Sequence, residues 1–346
     1  WTEDKKKFPD GLQSLAEKVK QKGIDFGIWF EPEMISRESD LYREHPDWVI
    51  RSPLYEPILS RHQLVLDLSN PAVCEYLIDA VSKVLVPGNI SYVKWDMNRH
   101  LTDLGSAYLD RKNQNELSHR YVLGLYQVME TLTERFPQVL FESCSSGGGR
   151  FDAGMLYYMP QTWTSDNTDA VCRLKIQHGT SFLFPTVTMG AHVSACPNHQ
   201  VGRTTPLATR FAVAAAGNLG YELDLKKLSK EEKEEVREQI AEYKRRRRTV
   251  QFGTYYRLTD SFQENQSAWN IVSEDGMDVI FTHVQILARS AYRVPVIRLK
   301  GLDPDAVYID CETGQEYGGD ELMYAGIRIP RIRQDFSSTT MVLRRS

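Results

Sequence analysis

An α/β fold is predicted: a (β/α)8-type TIM barrel lacking about its first two strands, followed by a small antiparallel β-domain. Three observations predict it. From Phe8 to about Arg248, short β-branched or aromatic runs alternate with longer amphipathic stretches, the rhythm of a parallel sheet with crossover helices. Several of those runs end in polar residues. After Phe252 the rhythm changes to short alternating runs with turn residues, as over 276–282 and 324–329.

In chain order, the predicted strands are Asp25 to Phe30, Ser91 to Trp95, Val139 to Glu142, Gln161 to Thr164, Thr186 to Met189 and Asn218 to Leu223. Helices are predicted over Gly11 to Gln21, Pro71 to Val84, Leu117 to Arg135 and Thr205 to Ala216. This makes about six βα units where a barrel has eight. The partial barrel is assigned to residues 1–250 and a C-terminal antiparallel β-sandwich to 251–346. The charged segment from Leu228 ends in Arg245 to Arg248, read as cations at a helix C-terminus. No fixed-period repeat or low-complexity segment interrupts the pattern.

With 346 residues, 41% hydrophobic and 25% charged, the chain has globular composition and can bury a large core. A formal net charge of -4 provides no broad basic surface, so neither nucleic acid nor anionic membrane is expected as a partner. No apolar stretch reaches the roughly 18 residues of a membrane span. Five cysteines without a CxxC pair cannot all be paired internally, which fits a reducing, cytoplasmic compartment. The chain opens at Trp1 without an initiating Met or a basic-then-apolar leader, and an upstream segment is expected.

In a parallel barrel, polar residues just past each strand converge on one pocket. The first such group is Trp29 to Met34, where two carboxylates, Glu31 and Glu33, follow an aromatic that could wall a sugar site. Either carboxylate could instead belong to a buried network beneath the site. The second is Tyr92 to Arg99. Strand geometry turns Lys94, Asp96 and Asn98 to one side and Val93, Trp95 and Met97 to the other. Three polar groups facing the barrel axis must bind one another or a polar ligand; a Lys94–Asp96 ion pair is the structural alternative.

The third group is Phe141 to Asp152, a strand feeding a turn with three adjacent glycines that let the backbone approach a ligand. A phosphate loop is the rival, but the Lys-Ser/Thr ending is missing. Arg150 and Asp152 could form an ion pair that holds the loop. The fourth is Gln161 to Ala170. Asp169 is the better N-cap for the apolar-periodic run that begins at Ala170, which leaves Asp166 for chemistry.

Asp96 and Asp166, from the ends of different strands, match the two carboxylates of glycoside hydrolysis, one ionised to attack and one protonated for the leaving oxygen. Lys94 would favour the charged form of Asp96 and Trp163 the protonated form of Asp166. Neither a metal nor another cofactor is required. His192, Cys196 and His199 have a spacing that could just permit zinc, without further ligands, and no serine-hydrolase elbow is present.

These blocks, with Leu12 to Val19 and His45 to Trp48, resemble the bacterial α-galactosidases of glycoside hydrolase family 36, in that family's order. The resemblance implies Asp96 as nucleophile and Asp166 as acid/base. It also implies galactose contacts from Trp29, Arg61, Lys94, Asn98, Cys144, Gly147 and Trp163. Family members carry an N-terminal β-sandwich and an Asp-Asp-Gly-Trp block on an early barrel strand, and this sequence contains neither. The expected activity is hydrolysis of terminal α-linked galactose, as in melibiose and raffinose, with retention, in a homo-oligomer that family analogy makes a tetramer. The alternatives are a transglycosylase, or a non-catalytic carbohydrate-binding or assembly fragment.

Overall fold

The computed structural model describes residues 2–87, 89–290 and 294–346. Trp1, where the barrel domain is read to begin, lies outside the described residues. The chain forms two compact units, Trp1–Trp163 and Thr164–Ser346.

The first unit runs α1 (Gly11–Lys20), β1 (Phe26–Phe30), β2 (Met34–Ser36), α2 (Asp40–Glu44), β3 (Gln63–Val65), α3 (Pro71–Leu85), β4 (Ile90–Asp96), α4 (Leu117–Arg135), β5 (Leu140–Cys144), α5 (Ala153–Tyr158) and β6 (Gln161–Trp163). Its parallel strands lie in the order β1-β4-β5-β6, and β2 and β3 form an antiparallel ribbon. Local chemistry sets the helices. Asn70 caps α3 by accepting from the Ala72 N–H, with Pro71 as the first helical residue. Val73, Leu77, Val81 and Leu85, spaced at helical period, then bury one face against the sheet core. In α4, a side chain at Gly124 would meet the Leu68 carbonyl at 1.9 Å, so backbone packs on backbone there.

Strand β4 divides as its alternation predicts. Val93 and Trp95 are fully buried in the apolar cluster, and Lys94 and Asp96 take the opposite side.

The second unit runs α6 (Ala170–Thr180), β7 (Met189–Ser194), α7 (Leu207–Ala214), β8 (Asn218–Glu222), α8 (Lys230–Phe252), β9 (Thr254–Arg257), β10 (Gln266–Val272), β11 (Asp278–Gln285), β12 (Val296–Ile297), β13 (Val307–Asp310), β14 (Glu316–Gly318), β15 (Ile327–Arg328) and β16 (Ser337–Arg345). Strands β7 and β8 pair in parallel. An antiparallel sheet follows in the order β14-β13-β16-β11-β10-β9, with β12 and β15 as a two-stranded ribbon. One face of that sheet, with Trp269, Ile271 and Ile280, packs in a cluster with Phe211, Val236 and Val250 of the helices. Ala268, Val279 and Phe281 on the other face share a cluster with Ile297 of the ribbon.

Two expectations shift. The strand predicted at Thr186 to Met189 is a 3₁₀ turn over Thr186–Thr188, with strand only from Met189. Both threonine hydroxyls are engaged by carbonyls, Thr186 donating to Val250 (2.7 Å) and Thr188 to Pro185 (2.7 Å). Those bonds stabilise a turn where β-branching alone suggests a strand. The arginine run is not a helix end. Helix α8 continues to Phe252 and buries Thr249 and Val250, and Arg246 pairs with Glu242.

Among the described residues, no helix is long and apolar enough to cross a membrane, and no group of three or more His, Cys, Asp or Glu could hold a metal ion. His192 instead lies 3.1 Å from Glu222.

Candidate active site

In the first unit, polar side chains gather past the ends of β1, β4 and β5. Asp96, 6% exposed, closes β4. Its Oδ2 accepts from Trp29 Nε1 (3.0 Å) and its Oδ1 from the Met97 N–H (2.9 Å). These two donors fix the plane of the carboxylate. Trp29 is half exposed, so its ring can hold Asp96 and still present a face to solvent. Cys144 is the register partner of Asp96 on β5. Burial pushes the Cys144 thiol up to about 12, so the thiol keeps its proton.

Lys94 lies 3.4 Å from Glu142, its register partner on β5, and 4.9 Å from the Trp163 ring centroid. Glu142, almost wholly buried, also accepts from Tyr92 and Gln161. Burial, then the Glu142 carboxylate, pushes the Tyr92 hydroxyl up, keeping it a donor. Glu142 is thus a cross-strand carboxylate partner of Lys94, one the sequence reading did not name.

Glu33 is fully buried and accepts from Trp95 Nε1 (2.7 Å), Tyr121 and Arg150 (2.9 Å). Burial works against the Arg150 charge, but Glu33, with smaller contributions from Tyr121 and Asp152, raises that guanidinium's pKa overall. This is the buried network anticipated for Glu31 or Glu33. It also answers the alternative for Arg150. The guanidinium pairs with Glu33, and Asp152 caps α5 by accepting from the Met155 N–H (2.9 Å).

Glu31 collects Arg61 Nη1 (3.1 Å) and Asn98 Nδ2 (2.8 Å), and Asn98 Oδ1 accepts from the Ser146 N–H (3.0 Å). In the glycine-rich turn, Ser146 and Gly147 have φ of 46° and 87°. Gly147 takes this left-handed backbone without steric penalty. The Ser145 N–H donates to the Gly147 carbonyl (2.8 Å), closing the turn.

The second unit holds Asp166, exposed in the loop after β6. Asp169 caps α6 by accepting from the Cys172 N–H (2.9 Å) and pairs with Arg203. Asp169 is therefore committed to structure.

Of the eight sequence-selected residues in the first unit, Trp29 bonds Asp96, Arg61 and Asn98 meet on Glu31, Lys94 lies over Trp163, Cys144 stands in register with Asp96, and Gly147 closes the glycine-rich turn. Sequence reasoning missed Tyr92, Tyr121, Gln161 and Ser146. Of these, only Tyr92 carried a signal, because it shares the strand face of Lys94 and Asp96.

A family model described as melibiase matches residues 1–253, and one described as the glycosyl hydrolase family 36 C-terminal domain matches 266–343. Alpha-galactosidase AgaA of Geobacillus stearothermophilus is 54% identical over 338 residues, 98% of this chain and 46% of that protein. Alpha-galactosidase Mel36A of Lactobacillus acidophilus is 49% identical, again over 98% and 46%. The chain thus spans about half the length of the curated relatives it matches. The crystal structure of AgaA matches with a TM-score of 0.98 and 53% identity, covering 100% of this chain and 48% of that one. A variant of AgaA has been solved with raffinose and another with stachyose. The shared fold is a partial (β/α) barrel followed by an antiparallel β-domain.

Proposed function

Because this chain belongs to the melibiase family and carries the C-terminal domain of glycosyl hydrolase family 36, we propose that it is the catalytic part of a retaining α-galactosidase. Its substrates are terminal α-linked galactosides such as melibiose and raffinose. The observation that carries this reading is the Asp96 carboxylate, held by Trp29 and Met97 and flanked by Lys94, Asn98 and Cys144. A further support comes from AgaA. The aspartates replaced in its raffinose and stachyose complexes stand 70 positions apart, the spacing of Asp96 and Asp166.

In this reading Asp96 attacks the anomeric carbon while Asp166 gives its proton to the departing oxygen, which leaves a β-linked galactosyl ester on Asp96. Asp166, now ionised, takes a proton from water as that water displaces Asp96, releasing α-galactose. Trp29, Arg61, Lys94, Asn98, Cys144, Gly147 and Trp163 hold the sugar. Cys144 does so as a neutral thiol. Arg61 and Lys94 bring cations, and the Trp163 ring backs the Lys94 ammonium.

The division into a partial barrel over 1–250 and a β-domain over 251–346 belongs to this proposal, supported by the family-model bounds. So do the reducing cytoplasm, supported by five free cysteines, and assembly as a homo-oligomer, which rests on family analogy. The test is proton NMR of melibiose hydrolysis by the full protein. α-Galactose should appear first and mutarotate to the β form. Initial β-galactose, or no cleavage, overturns the reading, and galactosyl transfer products at high sugar concentration would reassign it to transglycosylation.

A further inference from the structure

We infer that Glu31 is a positioning residue that sets Arg61 and Asn98 for the sugar, and so governs galactoside affinity and not bond cleavage; the inference rests on the proposed galactosidase reading. A single oxygen, Glu31 Oε1, receives both Arg61 Nη1 (3.1 Å) and Asn98 Nδ2 (2.8 Å). The two donors come from separate elements, the tight turn that leads into β3 and the segment after β4. Glu31 is 8% exposed, and a carboxylate so buried has to be met by donors. Arg61 has a half-exposed side chain, so its guanidinium is both tethered and open to a ligand.

That turn needs the tether. Arg61 and His62 have φ of 54° and 61°, two consecutive left-handed residues without a glycine, between Ser60 and Gln63, which exchange both backbone hydrogen bonds (3.2 and 3.0 Å). Asn-Gly or Gly-Gly is the ordinary choice for such a turn. A turn built from larger residues persists when its surroundings over-determine it. Glu31 grips Arg61, and Arg99 Nη1 donates to the Gln63 carbonyl (3.0 Å) on the far side. Asn98 is fixed at both ends of its amide, by Glu31 and by the Ser146 N–H and hydroxyl. Loss of Glu31 frees the Asn98 amide to rotate and the Arg61 turn to relax. Asp96, held by Trp29 and Met97, keeps its own partners.

The test combines hydrogen exchange with a mutant cycle in the full protein. In Glu31→Ala, amides of Gln63 and Ser146 should exchange roughly tenfold faster. The galactose dissociation constant, read by tryptophan fluorescence, and the melibiose KM should rise roughly tenfold with kcat within about twofold. In an Arg61→Ala/Asn98→Ala background, Glu31→Ala should add less than about twofold, because its effect passes through those two residues. Glu31→Gln, which keeps an acceptor for Asn98, should lose less, and it carries the test if the alanine variant does not fold. Unchanged exchange, a full additive loss in the double-variant background, or a fall in kcat with unchanged KM overturns the inference. If the unaltered protein neither binds nor cleaves galactosides, the functional reading fails, and the exchange result still decides whether Glu31 holds the two residues.

Discussion

Asp96 is buried and held through both carboxylate oxygens, and Asp166 is exposed in a loop whose other aspartate is spent on capping α6. An attacking group must be aimed at one carbon, which favours the held residue. A group that exchanges a proton with water in the second step benefits from exposure. Asp96→Ala should therefore lower turnover of every galactoside by at least about 10⁴-fold, and azide should yield the β-galactosyl azide. Asp166→Ala should lose roughly 10² to 10⁴-fold on melibiose and far less in the first step on an activated aryl galactoside, with azide giving the α-galactosyl product. Equal losses on both substrates and one common azide product would refute the roles. The polar face of β4 was legible in the sequence because strand alternation is local, so Lys94, Asp96 and Asn98 declared themselves. The partner of Lys94 was not. Glu142 meets it through the β4–β5 register, and 48 residues of chain separate the two.

The elements were most legible where period and cap agree. Asp169 before Ala170 marked the start of α6, and the run from Pro71 marked α3, whose Asn70 cap the structure adds. Legibility failed where side chains bond back to the backbone, as in the Thr186–Thr188 turn, and where a charged run masked a buried last turn, as in α8. The β-domain carries a pH dependence that the sequence could not announce. His283 on β11 is 2% exposed, with Nε2 3.1 Å from Gln266 Oε1, and Nδ1 has no hydrogen-bond partner among the described residues. Burial lowers its pKa from 6.5 to about 4. Between those values the unfolded chain takes up a proton that the folded chain refuses. The stability this residue contributes should be fully present above pH 6.5 and should fall as pH drops toward 4, by about 3 kcal/mol. Urea unfolding at pH 7, 6, 5 and 4 should show a shallower acid slope for His283→Asn than for the unaltered protein. Identical slopes would contradict it.

At the scale of the whole molecule, the change of rhythm after Phe252 was legible because parallel βα units and antiparallel hairpins differ in segment length and turn density. The ribbon of β12 and β15 was not, since its two short strands carry too little period to read. The apolar clusters follow the same logic. The first unit buries one continuous core around Val93, Trp95, Leu125 and Phe141, and the antiparallel sheet is covered on both faces. The relatives extend over about twice the length of this chain, and the proposed activity is that of a retaining α-galactosidase. The most direct test of that activity is covalent trapping of the full protein with a fluorinated galactosyl probe that forms the glycosyl ester quickly and releases it slowly, followed by peptide mass mapping. The account predicts one galactosyl adduct, on Asp96, absent in Asp96→Ala and still formed in Asp166→Ala from a probe with a good leaving group. An adduct on any other side chain, or none while melibiose is turned over, would contradict it.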